Sequence, residues 1–196
     1  MANNKTERRK NKIISVVHAR QKSLHVVLEN IHDPHNVSAI FRTCDAVGVP
    51  KVSLVYDVDT FPKIGKKTSA SAFKWVEKDK YRSIEDCYDV LREQGFRIYA
   101  SAITANAKNL YELNLAEKSA VVLGNEHRGV SGKAAELADE KFFIPMNGMV
   151  QSLNVSVAAA VILYEAMRQR FLKGLYNKSE YSEEELEQKI TNWLEK

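Results

Sequence analysis

The chain has 196 residues, of which 44% are hydrophobic and 28% are charged. That balance is ordinary for a globular protein, and the length suits one domain with extensions whose core needs no disulfide or metal staple. Cys44 and Cys87 are its two cysteines and form no CxxC, which argues against a disulfide framework or a four-cysteine zinc site and fits a reducing cytoplasm. The opening MANNKTERRKNK is polar and basic, so no secretory signal is expected. The most apolar run, residues 155–164, is half of the ~20 residues a membrane helix needs, so no membrane partner is expected.

The formal net charge of +4 is unevenly placed. Residues 1–22 hold seven Lys or Arg against Glu7 alone, while residues 180–196 hold six Glu against Lys189 and Lys196. A basic arm on a nearly neutral body points to a polyanion, most often nucleic acid; a solvated basic helix is the plainer alternative.

In chain order, residues 3–22 lack a strong breaker and read as an exposed helix. Residues 23–30, SLHVVLEN, read as a buried strand. Asp33-Pro34 starts a helix that carries Val37, Ile40, Phe41, Cys44 and Val47 at helical spacing and closes at Gly48. A strand follows at 51–56. Residues 57–74, with Pro62, Gly65 and the cluster Lys63, Lys66, Lys67, read as a long loop. Residues 83–94 read as a helix, 96–103 as a strand, 104–118 as irregular and 119–124 as a strand. A short helix (132–138) and a short strand (141–145) precede the long helix 152–171. Ser182-x-x-Glu185 opens a last helix, 182–194. The alternation argues for an α/β fold with a mostly parallel sheet flanked by helices on both faces.

Ligands of such sheets sit at the carboxyl ends of strands. Three strand ends stand out, ENIHDPHN (29–36), LGNEHRG (123–129) and IPMNGMVQSLN (144–154). The second approaches a phosphate-binding P-loop, but Val130 stands where the lysine belongs and Glu126 adds repulsion, so a nucleotide triphosphatase is rejected. No two glycines stand at i,i+2, so the GxGxxG of a dinucleotide-binding fold is missing too. The five histidines form no HExxH or Cys/His pairing, and no metal site is expected. No GxSxG occurs, and Ser152 has no evident base beside it. Helix capping by Ser152 and Asn154, a turn carboxylate at Glu126 paired with Arg128, and a first-turn polar residue at Asn36 are the plainer readings of those positions.

Together the three segments resemble the SPOUT class of RNA methyltransferases, in its SpoU/TrmH branch. ENIHDPHNVSAIFRTCDAVGV (29–49) resembles that family's first motif, with Asn36 and, six residues on, Arg42. VVLGNEHRGVS (121–131) resembles the second, with Gly124, Glu126 and Gly129, and IPMNGMVQSLNVSVAAAVILYEAMRQR (144–170) the third, with Ser152 and Asn154. The resemblance spans roughly the whole chain. In the segment TSASAFKWV (68–76), Ser71 and Phe73 stand where the family usually has Gly and often has His.

The resemblance implies the rest. The sheet would carry a C-terminal deep trefoil knot, an exception to the rule that chains do not knot. The knot would bind S-adenosylmethionine near Leu123, Gly124, Ile144, Met149 and Leu153, in a homodimer with composite sites. The implied domains are a basic N-terminal helical extension (1–22), the catalytic domain (23–172) and a C-terminal helical extension (173–196). The implied reaction is methylation of a tRNA ribose 2′-oxygen, with guanosine 18 of the D-loop as target because the terminal extensions resemble those of the enzymes acting there. The tRNA wobble position, ribosomal RNA, or RNA binding without catalysis are the alternatives. Arg42, Asn36, Glu126, Ser152 and Asn154 are the implied catalytic set. Arg42 would act as a base or, as the permanent charge of a guanidinium favours, as a phosphate clamp that stabilises a developing alkoxide. Glu126 would pair with Arg42 or complement the cationic cofactor. Lys5, Arg8, Arg9, Lys10 and Lys12, with Lys63, Lys66 and Lys67, would grip tRNA phosphates.

Overall fold

The computed structural model describes residues 7–62 and 72–196. Among these residues seven strands form one all-parallel sheet: β1 (Leu24–Glu29), β2 (Lys51–Val55), β3 (Glu77–Tyr81), β4 (Arg97–Ser101), β5 (Lys108–Asn109), β6 (Ser119–Leu123) and β7 (Glu140–Phe143). Their order across the sheet is β3-β2-β1-β6-β4-β7-β5. The α-helices among the described residues are α1 (Glu7–His18), α2 (Pro34–Val47), the single turn α3 (Ala72–Trp75), α4 (Ile84–Glu93), α5 (Gly132–Leu137), α6 (Val155–Leu172) and α7 (Glu183–Glu195).

Alternating side chains on the central strands build two cores. Val26 and Leu28 of β1 and Val121 and Leu123 of β6 face one way and pack with α2 and α6. Val27, Ala120 and Val122 face the other way and pack with α4 and α5. β1 and β6 are buried at every position, as expected for parallel strands covered on both faces.

Several short or charged elements are not legible in the sequence. β3 is the charged run Glu77-Lys-Asp-Lys-Tyr81, mostly exposed, and it forms the sheet edge beside β2. Charge on an edge strand deters pairing with other chains, and the same charge hides the strand from a hydrophobicity pattern. β5 and the 3-10 turn Leu110–Glu112 lie within the stretch expected to be irregular. The stretch expected as a loop up to residue 74 ends in the helical turn α3.

The terminal helices pack on each other. Ile13 and Val17 of α1 meet Trp193 of α7, with Leu186, Ile190 and Trp75 around them. Part of the basic arm therefore serves the fold. Arg20 is 1% exposed and is paired with Asp45, and Lys22 pairs with Glu185 at 2.7 Å. Among the described residues no helix is long and apolar enough to cross a membrane.

Arg170, near the end of α6, is fully buried and ties that helix to the start of the sheet. It donates to the carbonyls of Leu115 (3.0 Å), Ser23 (2.9 Å) and Glu117 (2.8 Å), to Ser23 Oγ (2.7 Å) and to Gln21 Oε1 (3.3 Å). Removing it orphans several buried acceptors at once. Arg170→Leu is expected to cost about 3–5 kcal/mol, a range known for breaking buried charged contacts. Denaturant unfolding of the variant checks this.

Candidate active site

All strands point the same way, so every loop leaving a carboxyl end opens on one edge of the sheet. After β1 the chain builds β2 and β3 on one side, then crosses to β4 on the other, and β6 fills the gap. The loops after β1 and β6 thus meet where the strand order reverses, which is where open α/β sheets bind ligands.

Residues 125–129 form a tight hairpin there, closed by an isolated antiparallel bridge between Asn125 and Gly129. Asn125 Oδ1 accepts from the backbone N–H of His127 (2.9 Å) and Arg128 (3.2 Å), and Gly129 turns with φ of 70°. Just before the hairpin, a Cβ on Gly124 would lie 2.1 Å from the carbonyl carbon of Gly129 and 2.1 Å from the nitrogen of Val130. The position demands glycine for close backbone approach, not for an unusual φ.

Glu126, one residue into the hairpin, carries the main polar contact of the site. Its carboxylate accepts from the backbone N–H of His32 (2.9 Å) and Asp33 (3.0 Å) and from Asn36 Nδ2 (2.9 Å). Partial burial raises the carboxyl pKa, and these hydrogen bonds to the charged form outweigh it, so the group lies below the ordinary glutamate value. Asn36 is buried in the first turn of α2, behind the N-cap Asp33, whose side chain accepts from His35 N–H at 2.8 Å. Asn36 Oδ1 in turn accepts from Asn154 Nδ2 at 3.1 Å. Asn154 is the N-cap of α6 and accepts from the N–H of Ser156 at 2.8 Å. Glu126, Asn36 and Asn154 thus form one hydrogen-bonded chain linking the hairpin, α2 and α6.

Arg128 pairs with Asp59, which sets aside the plainer reading of Glu126 as a turn carboxylate paired with Arg128. The amide of Asn36 is engaged by Glu126 and Asn154. Arg42 lies on the exposed side of α2, six residues past Asn36, a rise of about 9 Å along the helix. Asn154 caps α6; Ser152 is exposed two residues before it and lines a cleft.

That cleft, of about 730 Å³, runs along the carboxyl ends of β4, β6 and β7. Leu123, Gly124, Ile144 and Leu153 line it, with Glu126, Ser152 and Asn154. Met149 is 99% exposed and lies outside the lining. The wall combines apolar side chains with the loop 123–130, and its small Ala158 leaves room on the α6 side. Arg8, Arg9, Lys10 and Lys12 are exposed on α1, whereas Lys5, Lys63, Lys66 and Lys67 lie outside the described residues.

Asn30, not singled out by the sequence, ties the loop after β2 to the hairpin. It is buried with φ of 51°, the one non-glycine residue with positive φ among the described residues. Its Nδ2 donates to Asp57 (2.7 Å), its Oδ1 accepts from Asp59 N–H (3.1 Å), and its carbonyl accepts from Asn125 Nδ2 (2.8 Å). An asparagine directly after a buried strand is the available signal, since Asn tolerates the left-handed conformation. Glu29, equally unmarked in the sequence, is buried and accepts from Ser131 N–H at 2.8 Å, fixing the far side of the hairpin.

Residues 23–164 match the SpoU rRNA Methylase family. The chain is 44% identical over 192 residues to the tRNA (guanosine(18)-2′-O)-methyltransferase of Thermus thermophilus, covering 98% of both chains. It superposes on the A. aeolicus TrmH/SpoU tRNA modifying enzyme with a TM-score of 0.89 and 39% identity, covering 96% of both. A structure described as giving insight into 2-OH methylation of C/U34 on tRNA matches at a TM-score of 0.67 and 29% identity, over 77% of this chain and 97% of that one.

Replacing Glu126 by Gln puts an amide where backbone donors need an acceptor. Glu126→Gln is expected to lower the thermal midpoint, and acid should do the same to the wild type. A carboxylate depressed in the fold stabilises above its unfolded pKa of about 4.3, and that contribution is lost as pH falls through the folded value. Melting curves from pH 7 down to pH 3 check both: the difference between wild type and variant should shrink toward the acid end. With the family match over residues 23–164, this fold and this coverage, the chain belongs to the SpoU methylase family.

Proposed function

We propose that the protein transfers a methyl group from S-adenosylmethionine to a tRNA ribose 2′-oxygen, at guanosine 18. The observation that carries this is the linked cluster Glu126–Asn36–Asn154 on the rim of the 730 Å³ cleft, in a chain 44% identical from end to end to an enzyme of that activity. The match to the C/U34-related structure is lower and covers 77% of the chain, against 96% for the TrmH/SpoU structure, which favours guanosine 18 over the wobble position.

The residues present fit the cofactor. Leu123, Ile144 and Leu153 give an apolar wall, and Glu126 supplies negative charge toward a sulfonium. When bound, S-adenosylmethionine supplies an electrophilic methyl group for the ribose oxygen. The chain's own work is positioning. Glu126 and Asn36 hold the start of α2 against the cleft wall, and Arg42 further along α2 receives the RNA. A guanidinium with pKa above about 12 does not serve as a base, so Arg42 clamps the neighbouring phosphate and stabilises charge developing on the 2′-oxygen. Ser152, on the cleft rim, hydrogen-bonds substrate or cofactor.

The domain division expected from the sequence is retained in this reading: a basic extension (1–22), a catalytic domain (23–172) and a C-terminal extension (173–196). The catalytic domain threads as a deep trefoil knot. Support comes from the third motif and from β6 and β7, late in the chain, flanking β4 in the interior of the sheet. A homodimer with composite sites is supported by α6. Val157, Tyr164 and Phe171 recur every two turns on it and are 48%, 55% and 54% exposed, with Leu172 at 76% beside them. An apolar stripe of this kind marks an interface. Buried, unpaired Cys44 and Cys87, both with thiols pushed up to about 12 by burial, suit the cytoplasm.

Incubation with labelled S-adenosylmethionine and unmodified tRNA, followed by mapping of the product, tests the reading. Label at the 2′-oxygen of guanosine 18 is expected; label elsewhere moves the target, and none on any RNA overturns the activity. Arg42→Ala is expected to lower kcat by about 10²-fold or more, as removal of one charge-stabilising donor does. Salt titration of tRNA binding should show a shallower slope when Arg8, Arg9, Lys10 and Lys12 are replaced by Ala, because fewer neutralised phosphates release fewer counterions.

A further inference from the structure

A second cavity, of about 420 Å³, lies between α1, α3 and α7, away from the cleft. Its volume falls in the range of small-ligand sites, about 300–1,000 Å³. Its floor is apolar: Ile13 and Val16 of α1, with Trp75 and Trp193. Its rim is cationic, carrying Arg8, Arg9 and Lys12, all exposed. The wall has one carboxylate, Asp45, and Arg20 neutralises it. Arg20 also lies over Trp193 at 5.1 Å, and its Nε is the one buried side-chain nitrogen among the described residues without a hydrogen-bond partner.

We propose that this cavity is a nucleotide subsite, taking one unstacked RNA base against Trp75 with the flanking phosphates on Arg8, Arg9 and Lys12. The proposal rests on the RNA-substrate reading above and adds a second place of contact. Two features select the ligand. A phosphate backbone alone has no use for an aromatic floor, and a neutral apolar ligand has none for three cations. A nucleotide uses both.

The Trp75 ring is half-buried, with Trp193 tilted against it at 4.7 Å between centroids, and its remaining surface borders the cavity. Lys74 Nζ stands 5.0 Å and Lys196 Nζ 5.8 Å from the Trp75 ring, and both side chains are exposed. Each lysine also donates to the other's main-chain carbonyl, and a base, which stacks on an aromatic face over its whole plane, exchanges those contacts for its own. The base therefore displaces the lysines, and they remain close enough to meet its phosphates. Trp193 is only 6% exposed and covered by Arg20, so it backs the site while Trp75 is its platform.

Trp75 and Trp193 are the only tryptophans of the chain, so its intrinsic fluorescence reads this cavity directly. The full-length protein is titrated with a single-stranded RNA pentamer and with an abasic pentamer of equal charge. Saturable quenching by the RNA is expected, with binding at least tenfold weaker for the abasic strand. The triple variant R8A/R9A/K12A, confined to exposed side chains, should weaken RNA binding at least tenfold. Trp75→Leu should abolish the preference for the RNA over the abasic strand. Equal binding of the two strands, or binding of dye-labelled RNA without quenching, overturns the subsite. Methyl transfer to tRNA without quenching by the pentamer sinks the subsite and leaves the proposed function standing. Quenching without methyl transfer does the reverse.

Discussion

One carboxylate holds the functional edge of this protein together. Glu126 accepts from two backbone N–H groups just before α2 and from Asn36 inside it. A negative group at a helix start meets the positive end of the helix dipole as well as unsatisfied donors. The contact spans about ninety residues of sequence, so it fixes the relation of two distant strand ends. Gly124 makes the arrangement obligatory, because the chain at 129–130 passes too close for any side chain.

From that point order spreads in two directions. Through Asn36 it reaches Asn154 and hence the start of α6, so two helices begin at one place. Through Asn125 and Asn30 it reaches the loop after β2. The cleft wall and the helix bearing Arg42 are therefore parts of one hydrogen-bonded body, which is what a reaction governed by positioning requires. Arg170 performs the same service at the opposite edge of the sheet, joining the end of α6 to the start of β1.

Much of this is legible in the sequence, for reasons that can be named. β1 and β6 are buried runs with turn signals after them, and α2 and α7 carry capping residues that the structure uses. The motif residues Asn36, Glu126 and Asn154 stand together. Their partners are not legible: periodicity says nothing of which donors a turn carboxylate meets some 90 residues away. Asn30 stays hidden because its role lies in a left-handed backbone and long-range amide contacts. β3 stays hidden because its charges suit an edge. The basic arm as a whole points to a polyanion in the sequence, yet Arg20 is buried in the fold and the exposed Lys22 pairs with Glu185 of α7. Long side chains divide in this way by tertiary position, which composition does not encode.

The terminal helices show one contact serving two ends. α7 covers α1, and their packing both closes a satellite core and leaves an aromatic, cation-rimmed cavity at its edge. The catalytic edge, however, depends on Glu126. Amide hydrogen exchange of His32 and Asp33 at neutral pH tests that dependence most directly. The account predicts slow exchange of both amides in the wild type and fast exchange in Glu126→Gln, with the protection of central β1 amides unchanged. Fast exchange in the wild type, or equal protection in the two proteins, would contradict it.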